Sequence, residues 1–313
     1  MSDLVSINTA AEVPPEPPSD PSLARASQAP PGVIKVSLRL WRTRIGLVFT
    51  LVLTFIALFG RYFAPYGEQE FVGKANQWPG ELKKDTLFGT GELGYDIWTR
   101  FLYGGRPVLI AAVSATVIAL VLGTIIGLLA AYDRGLLDNI LMRIMDVILC
   151  LPQIIMSLVL ISIFGASLKL IVFTVGFTTV PRIARVVRGA AISVVERDFV
   201  SAAEALGESR WRILWSELLP NVTSPLLVEA NLRLTFAIGL IAGLGFLGFT
   251  PDPGAANWGL MIDQHRGSLR GWAQPWGSVL PIMAVALLTV GTGLIADGLS
   301  RASAGIDRAK GDA

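Results

Sequence analysis

Apolar residues along this chain come in long unbroken runs, separated by short segments that hold nearly all the charge. About 20 helical residues cross a hydrocarbon layer about 30 Å thick, so runs of this length predict bilayer-spanning helices rather than strands or core helices. Six are present, at about 45–64, 107–131, 140–164, 168–187, 226–249 and 277–299. The fourth is the shortest and is interrupted by Pro181; Pro152 lies inside the third. Each proline removes a helix hydrogen bond, so a bend is expected at both. The pattern predicts an all-α integral membrane protein with six transmembrane helices.

Lys35, Arg39, Arg42 and Arg44 precede the first run with no acid among them, and basic residues near span ends favour the cytoplasm. The N-terminus is therefore expected inside, and six crossings return the C-terminus to the same side. Arg134 and Arg143, and then Arg182, Arg185, Arg188, Arg197, Arg210 and Arg212, fall in the two segments this topology places inside. Residues 65–106 fall outside, where Lys74, Lys83 and Lys84 alternate with Glu68, Glu70, Glu81 and Asp85, as in a folded loop. Residues 1–34 are rich in proline and serine and read as a disordered cytoplasmic tail without the pattern of a cleaved signal peptide. Residues 301–313 read as a second cytoplasmic tail.

Composition narrows the function. Of 313 residues, 52% are hydrophobic and 16% charged, against about 25% charged in soluble domains. A net charge of +2 is too mild to argue for nucleic acid. Cys150, the one cysteine, lies in an apolar run and reads as a packing residue, so no disulfide framework or cysteine metal site is available. His265, the one histidine, reads as a surface residue of an outer loop. No stretch matches the phosphate-binding G-x-x-x-x-G-K-[ST] pattern; GTGELGYD at 89–96 lacks its lysine and falls on the outer side. Asp146, Glu229 and Arg233 read as lying near span ends, within reach of the interface. Small residues four apart, such as Gly123 and Gly127, read as seams of close helix packing inside the chain. No catalytic, cofactor or metal site is visible.

One amphipathic segment stands out among the apolar runs, SAAEALGESRWRILWSELLP at 201–220. Phe199, Ala202, Ala203 and Leu206 share one face of a short helix, with Glu196, Asp198 and Glu204 elsewhere. Gly207 is a helix terminator, Ser209 an N-cap, and a second helix follows with Trp211, Leu214, Trp215, Leu218 and Leu219 at helical spacing before Pro220 ends it. The expectation is a compact cytoplasmic knob whose alanines allow close docking and whose aromatic second helix holds it to the transmembrane body. A hairpin lying on the membrane surface is the plainer alternative.

The knob resembles the EAA loop of bacterial ATP-binding-cassette importer permeases, E-A-A-x3-G-x9-I-x-L-P. Ala202, Ala203, Gly207, Leu219 and Pro220 match; Ser201 stands where glutamate is usual and Glu217 where isoleucine is. FGTGELGYDIWTR at 88–100 is similar to F-G-T-D-x-x-G-R-D-x-x-S-R of the dipeptide, oligopeptide and nickel branch, keeping Gly89, Thr90, Gly94, Asp96 and Arg100. FLGF at 246–249, NWGLMI at 257–262 and ADGL at 296–299 continue the likeness over about residues 37–300. The fifth-span glutamate common in that family is replaced by Ile241.

The resemblance implies a type I importer permease fold, with a five-helix core at 107–300 and a coupling loop at about 188–222. It implies a second homologous permease, two cytoplasmic ATPase subunits that carry ATP and magnesium, and an extracytoplasmic solute-binding protein. The coupling residues would be Glu196, Asp198, Phe199, Ser201, Ala202, Ala203, Glu204, Gly207, Leu219 and Pro220, with Glu204 a candidate to replace the missing acid at Ser201. Peptides are the expected cargo and nickel or another small solute the alternative. A stand-alone carrier or channel and a non-transporting membrane anchor are the readings outside the family.

Overall fold

The computed structural model describes residues 33–81, 85–271 and 274–311. Of the expected tail at 1–34, residues 1–32 lie outside the described residues, as do the lysines at 83 and 84, while Val33 and Ile34 open the first helix. Helix α1 (Val33–Ser37) leads into α2 (Trp41–Phe59), which ends in a 3₁₀ turn, Gly60–Phe63. Then come α3 (Ile97–Asp133), α4 (Leu136–Leu149), α5 (Gln153–Phe164), α6 (Leu168–Val195) and α7 (Asp198–Ala205). The short α8 (Arg210–Arg212) passes through a π-helical turn, Ile213–Leu218, into α9 (Leu219–Phe246). The chain closes with α10 (Trp258–Gln264), α11 (Arg266–Gly271) and α12 (Trp276–Gly311).

Among the described residues five helical stretches are long and apolar enough to cross a membrane, and α4 with α5 makes a sixth if the pair is one span bent by 80°. Helix pairing decides that question. Gly176 of α6 lies against Ala115 of α3, Gly123 against Ile183, and Gly127 against Ala184 and Val187. The numbers rise together, so α3 and α6 are parallel, and α4 with α5 must carry the chain back across between them. Gly46 of α2 packs on Gly291 and Ile295 of α12, and Thr43 on Gly298, so these two helices are antiparallel. There are thus six crossings, and the start of α2, the end of α12 and the segment containing α7 share one side.

The predicted spans need several corrections. The third is broken at Pro152, whose fixed φ and missing N–H turn the chain through the 80° bend, whereas α6 runs unbroken through Pro181 to Val195. Cys150 caps the end of α4 and is exposed rather than packed. The second span starts at Ile97, ten residues before Pro107, because the Asp96 carboxylate accepts from the Thr99 N–H at 2.7 Å and caps α3 there. Glu229 and Arg233 are not at a span end. They form an ion pair at 2.5 Å midway along α9, where the outer core cluster (Leu234, Ala237, Ile238) gives way to the inner one (Val222, Leu226).

On the side away from α7, residues 65–81 and 85–96 fold onto the segment that follows α9. Gly89 and Gly94 both have φ near +75°, which L side chains rarely adopt. Thr90 is fully buried; its hydroxyl donates to the Lys74 carbonyl at 2.6 Å and accepts from the Gln77 N–H. Arg100, also buried, donates to the carbonyls of Gly254 and Ala255 at 3.2 and 3.4 Å and lies over the Tyr95 ring. The glycine-rich run is therefore a clasp that closes this cap on α3.

His265 is buried in the same cap, contrary to its reading as a surface residue: Nδ1 lies 2.9 Å from the Met261 carbonyl, and Gly91 and Gly277 press on the ring. Burial holds its pKa below the ordinary histidine value, against the opposing pull of the Met261 carbonyl and Glu92. A base with a depressed pKa stays neutral in the fold while the unfolded chain takes up a proton, so stability falls as pH drops below about 6.5. Thermal unfolding between pH 8 and 5 should show this loss, with a slope of at most about 1.4 kcal/mol per pH unit from this group. The His265→Gln variant should lose that share of the pH dependence; an unchanged profile would discount the histidine.

Candidate functional site

The segment between α6 and α9 is built from local signals that the sequence carries. Helix α7 stops in a Schellman motif: the Glu208 N–H bonds the Ala203 carbonyl and the Gly207 N–H the Glu204 carbonyl, with Gly207 at φ +77°. Ser209 then caps the next helix, accepting from the Arg212 N–H, and Glu208 pairs with Arg212 at 3.1 Å. The reversal is tight, and it places α7 against the π-helical turn.

The second helix does not end at Pro220. A proline in the first turn of a helix is tolerated because its missing N–H is not needed there. Here Leu219 N–H bonds Leu214 O across the widened π turn, and α9 continues to Phe246. The wider turn also changes which face is inward. Ile213, Leu214 and Leu218 are buried in the inner core, while Trp211 and Trp215 are 57% and 47% exposed. The tryptophans therefore do not hold the knob to the body, and their amphipathic rings suit a membrane interface instead.

The buried anchor of α7 is Val200, 1% exposed against Ile213 and Leu214, a residue the sequence reading passed over. With Val200 inward, the apolar face formed by Phe199, Ala202 and Leu206 points out of the molecule, and Leu206 is 84% exposed. With Ala203, these residues line one wall of an open cleft of about 320 Å³, opposite Arg212, Ser216 and Glu217. Asp198, in the first turn of α7, and Ser201 are exposed beside them.

The remaining predicted residues are not gathered here. Glu196 caps α6 and binds Arg134 at 2.9 Å, joining the ends of α6 and α3. Glu204 interacts with the Tyr132 hydroxyl at the end of α3. Leu219 packs on the inner core and Pro220 is exposed at the start of α9. Two further ion pairs, missed in the sequence, bind α4 to the same end of α6: Asp138 takes Arg188 through two bonds of 2.6 Å, and Asp146 takes Arg185. The cleft therefore sits on a base of three helices joined by charge. No group of three metal-ligating side chains occurs among the described residues.

Residues 123–304, from the inner half of α3 to α12, match the family described as the binding-protein-dependent transport system inner membrane component. The chain belongs to that family. This inner membrane component is 33% identical over 259 residues to a di/tripeptide transport system permease protein of Pseudomonas aeruginosa, covering 81% of this chain and 84% of that one. A putative peptide transport system permease protein of Brucella suis is 34% identical over 276 residues, covering 85% and 90%. A glutathione transport system permease protein of Pectobacterium atrosepticum is 30% identical over 254 residues, covering 80% and 83%. A chain of a solved methionine ABC transporter in inward facing conformations aligns with a TM-score of 0.47 and 21% identity, over 63% of this chain and 94% of that one. The protein is thus a multi-pass component of the bacterial inner membrane.

Proposed function

We propose that the chain is the transmembrane subunit of an ATP-driven importer of di- or oligopeptides, working with an extracytoplasmic binding protein, a second homologous permease and two cytoplasmic ATPase subunits that carry ATP and magnesium. Relatives named for peptide, di/tripeptide and glutathione transport, aligned over four fifths of the chain or more, support the peptide cargo. The observation that carries the coupling role is the outward apolar face of α7. A helix on the side shared by both chain ends that buries only Val200 and exposes Phe199, Ala202 and Leu206 is shaped to be covered by another protein. The ATPase subunit is its occupant in this reading, and the ion-paired ends of α3, α4 and α6 carry the motion of α7 into the membrane. That side is the cytoplasm in this reading, supported by Lys35 and Arg39 before α2 and Arg42 and Arg44 in its first turn.

The complex, reconstituted in proteoliposomes with its binding protein, should hydrolyse ATP faster when di- or tripeptides are supplied and should accumulate them. Stimulation by nickel and not by peptides would transfer the assignment to metal import. Uptake by the purified chain alone would instead make it a stand-alone carrier.

A further inference from the structure

The ion pair inside α9 is poorly accounted for as a packing device. Arg233 Nε donates to Glu229 Oε1 at 2.5 Å, and the two side chains are only 13% and 7% exposed. Guanidinium carries five N–H donors, and this bond uses one. The terminal nitrogens are not fully enclosed and meet no acceptor among the described residues. An arginine inside an apolar span is costly, and such residues face a protein interior or a water-filled cavity rather than lipid. The side toward which Arg233 opens agrees with this. Its guanidinium lies 5.4 Å from the Phe236 ring, which is 60% exposed, and no described residue of this chain comes within 4 Å of a Cβ built on Gly239 or Gly243 farther along the helix. Asn231 and Thr235 turn the other way and bond Thr292 of α12, so the helix is fixed in rotation with Arg233 facing the open side.

We infer that Arg233 recognises the substrate's carboxylate during passage, with Glu229 holding the guanidinium in position and its free edge turned to the path. This rests on the peptide reading above, because every unmodified peptide brings a C-terminal carboxylate. A planar guanidinium with an unoccupied edge takes a carboxylate through two parallel bonds. The Glu229 bond on Nε leaves the Nη edge for that contact, and the glycines leave room for the peptide backbone. Glu229 also offsets the arginine's charge while the path is empty.

The test uses the whole reconstituted transporter with binding protein preloaded with either of two probes, a dipeptide with a free C-terminal carboxylate and the same dipeptide as its C-terminal amide. Wild type should transport the acid faster than the amide. Arg233→Gln leaves the buried Glu229 without its partner and should slow both probes, but it should lower transport of the acid at least about tenfold more than that of the amide, the scale of losing one partner of a desolvated charge pair. Arg233→Lys should recover part of the preference. Equal losses for both probes, or no loss for either, would overturn the inference and leave the pair a structural one. A variant that no longer co-purifies with the second permease would overturn it too, by assigning the free edge to a carboxylate of that subunit. If wild type transports neither probe, the peptide reading itself falls, and this inference with it.

Discussion

Leucine at position 127 should prise α3 from α6 and leave little folded protein in the membrane. The two helices run parallel through both core clusters, and glycines set their separation. A Cβ on Gly127 would stand 2.6 Å from the Ala184 carbonyl oxygen and 2.8 Å from the Val187 Cβ. The first of these is backbone and cannot rotate away, so the helices themselves must move. In lipid that contact is close packing with little hydrophobic drive behind it, and it is not replaced once lost. Overpacking a well-filled site costs about 1–3 kcal/mol even for small additions, and leucine adds far more than one methylene. Gly127→Ala should lower the melting midpoint in detergent by several degrees, and Gly127→Leu should abolish the monodisperse peak in size-exclusion chromatography. Gly189 supplies the control. It lies on α6, the partner helix, and no described residue comes within 4 Å of a Cβ built there, so Gly189→Ala should be neutral or stabilising by about 0.5–1 kcal/mol through helix propensity. Equal behaviour of the 127 and 189 variants would refute the packing assigned to the pair.

Gly123 and Gly127 were legible because small residues four apart mark one stripe of a helix, and that stripe does meet α6. Gly239 and Gly243 have the same spacing and meet no described residue of this chain, since spacing reports a face and not its occupant. The six spans were legible from apolar length alone, but their ends were not. Asp96 caps α3 well outside the apolar run, and the ion pairs that tie the ends of α3 and α4 to α6 join residues 62 and 50 positions apart in sequence. Gly207 and Ser209 were readable because caps are local chemistry. The burial of the two tryptophans was misjudged because a π turn shifts the helical face, and single-residue spacing assumes that no such turn intervenes. Position 200 was overlooked for a related reason: on α7 the conspicuous apolar stripe is the exposed one, and the residue that holds the helix to its own body is a lone valine.

That inversion makes Leu206→Asp the most informative single change at the proposed coupling surface. The side chain is 84% exposed, in the last turn before Gly207, and its loss leaves no cavity in this chain. Leu206 is the C-cap of α7, but the bonds that close this cap are backbone ones that a new side chain does not remove, and exposed substitutions usually change stability by no more than about 0.5 kcal/mol, so insertion and melting of the free subunit should stay close to wild-type values. If α7 seats in an ATPase subunit, a carboxylate at its apolar centre is desolvated without a partner. Truncating central interface residues costs about 2 kcal/mol or more, so peptide transport should fall at least tenfold. Ala203→Asp, half-buried in the cleft near Glu208 and Glu217, should act in the same direction with some added local strain. Val200→Asp separates the two possible causes of such a loss. It places a charge in the inner core and should destabilise the free subunit as well, whereas Leu206→Asp should spare it. Peptide-stimulated ATP hydrolysis and co-purification of the ATPase subunits are the measurements. Wild-type coupling in Leu206→Asp would remove α7 from the transmission path and shift attention to the exposed cleft wall formed by Arg212 and Glu217.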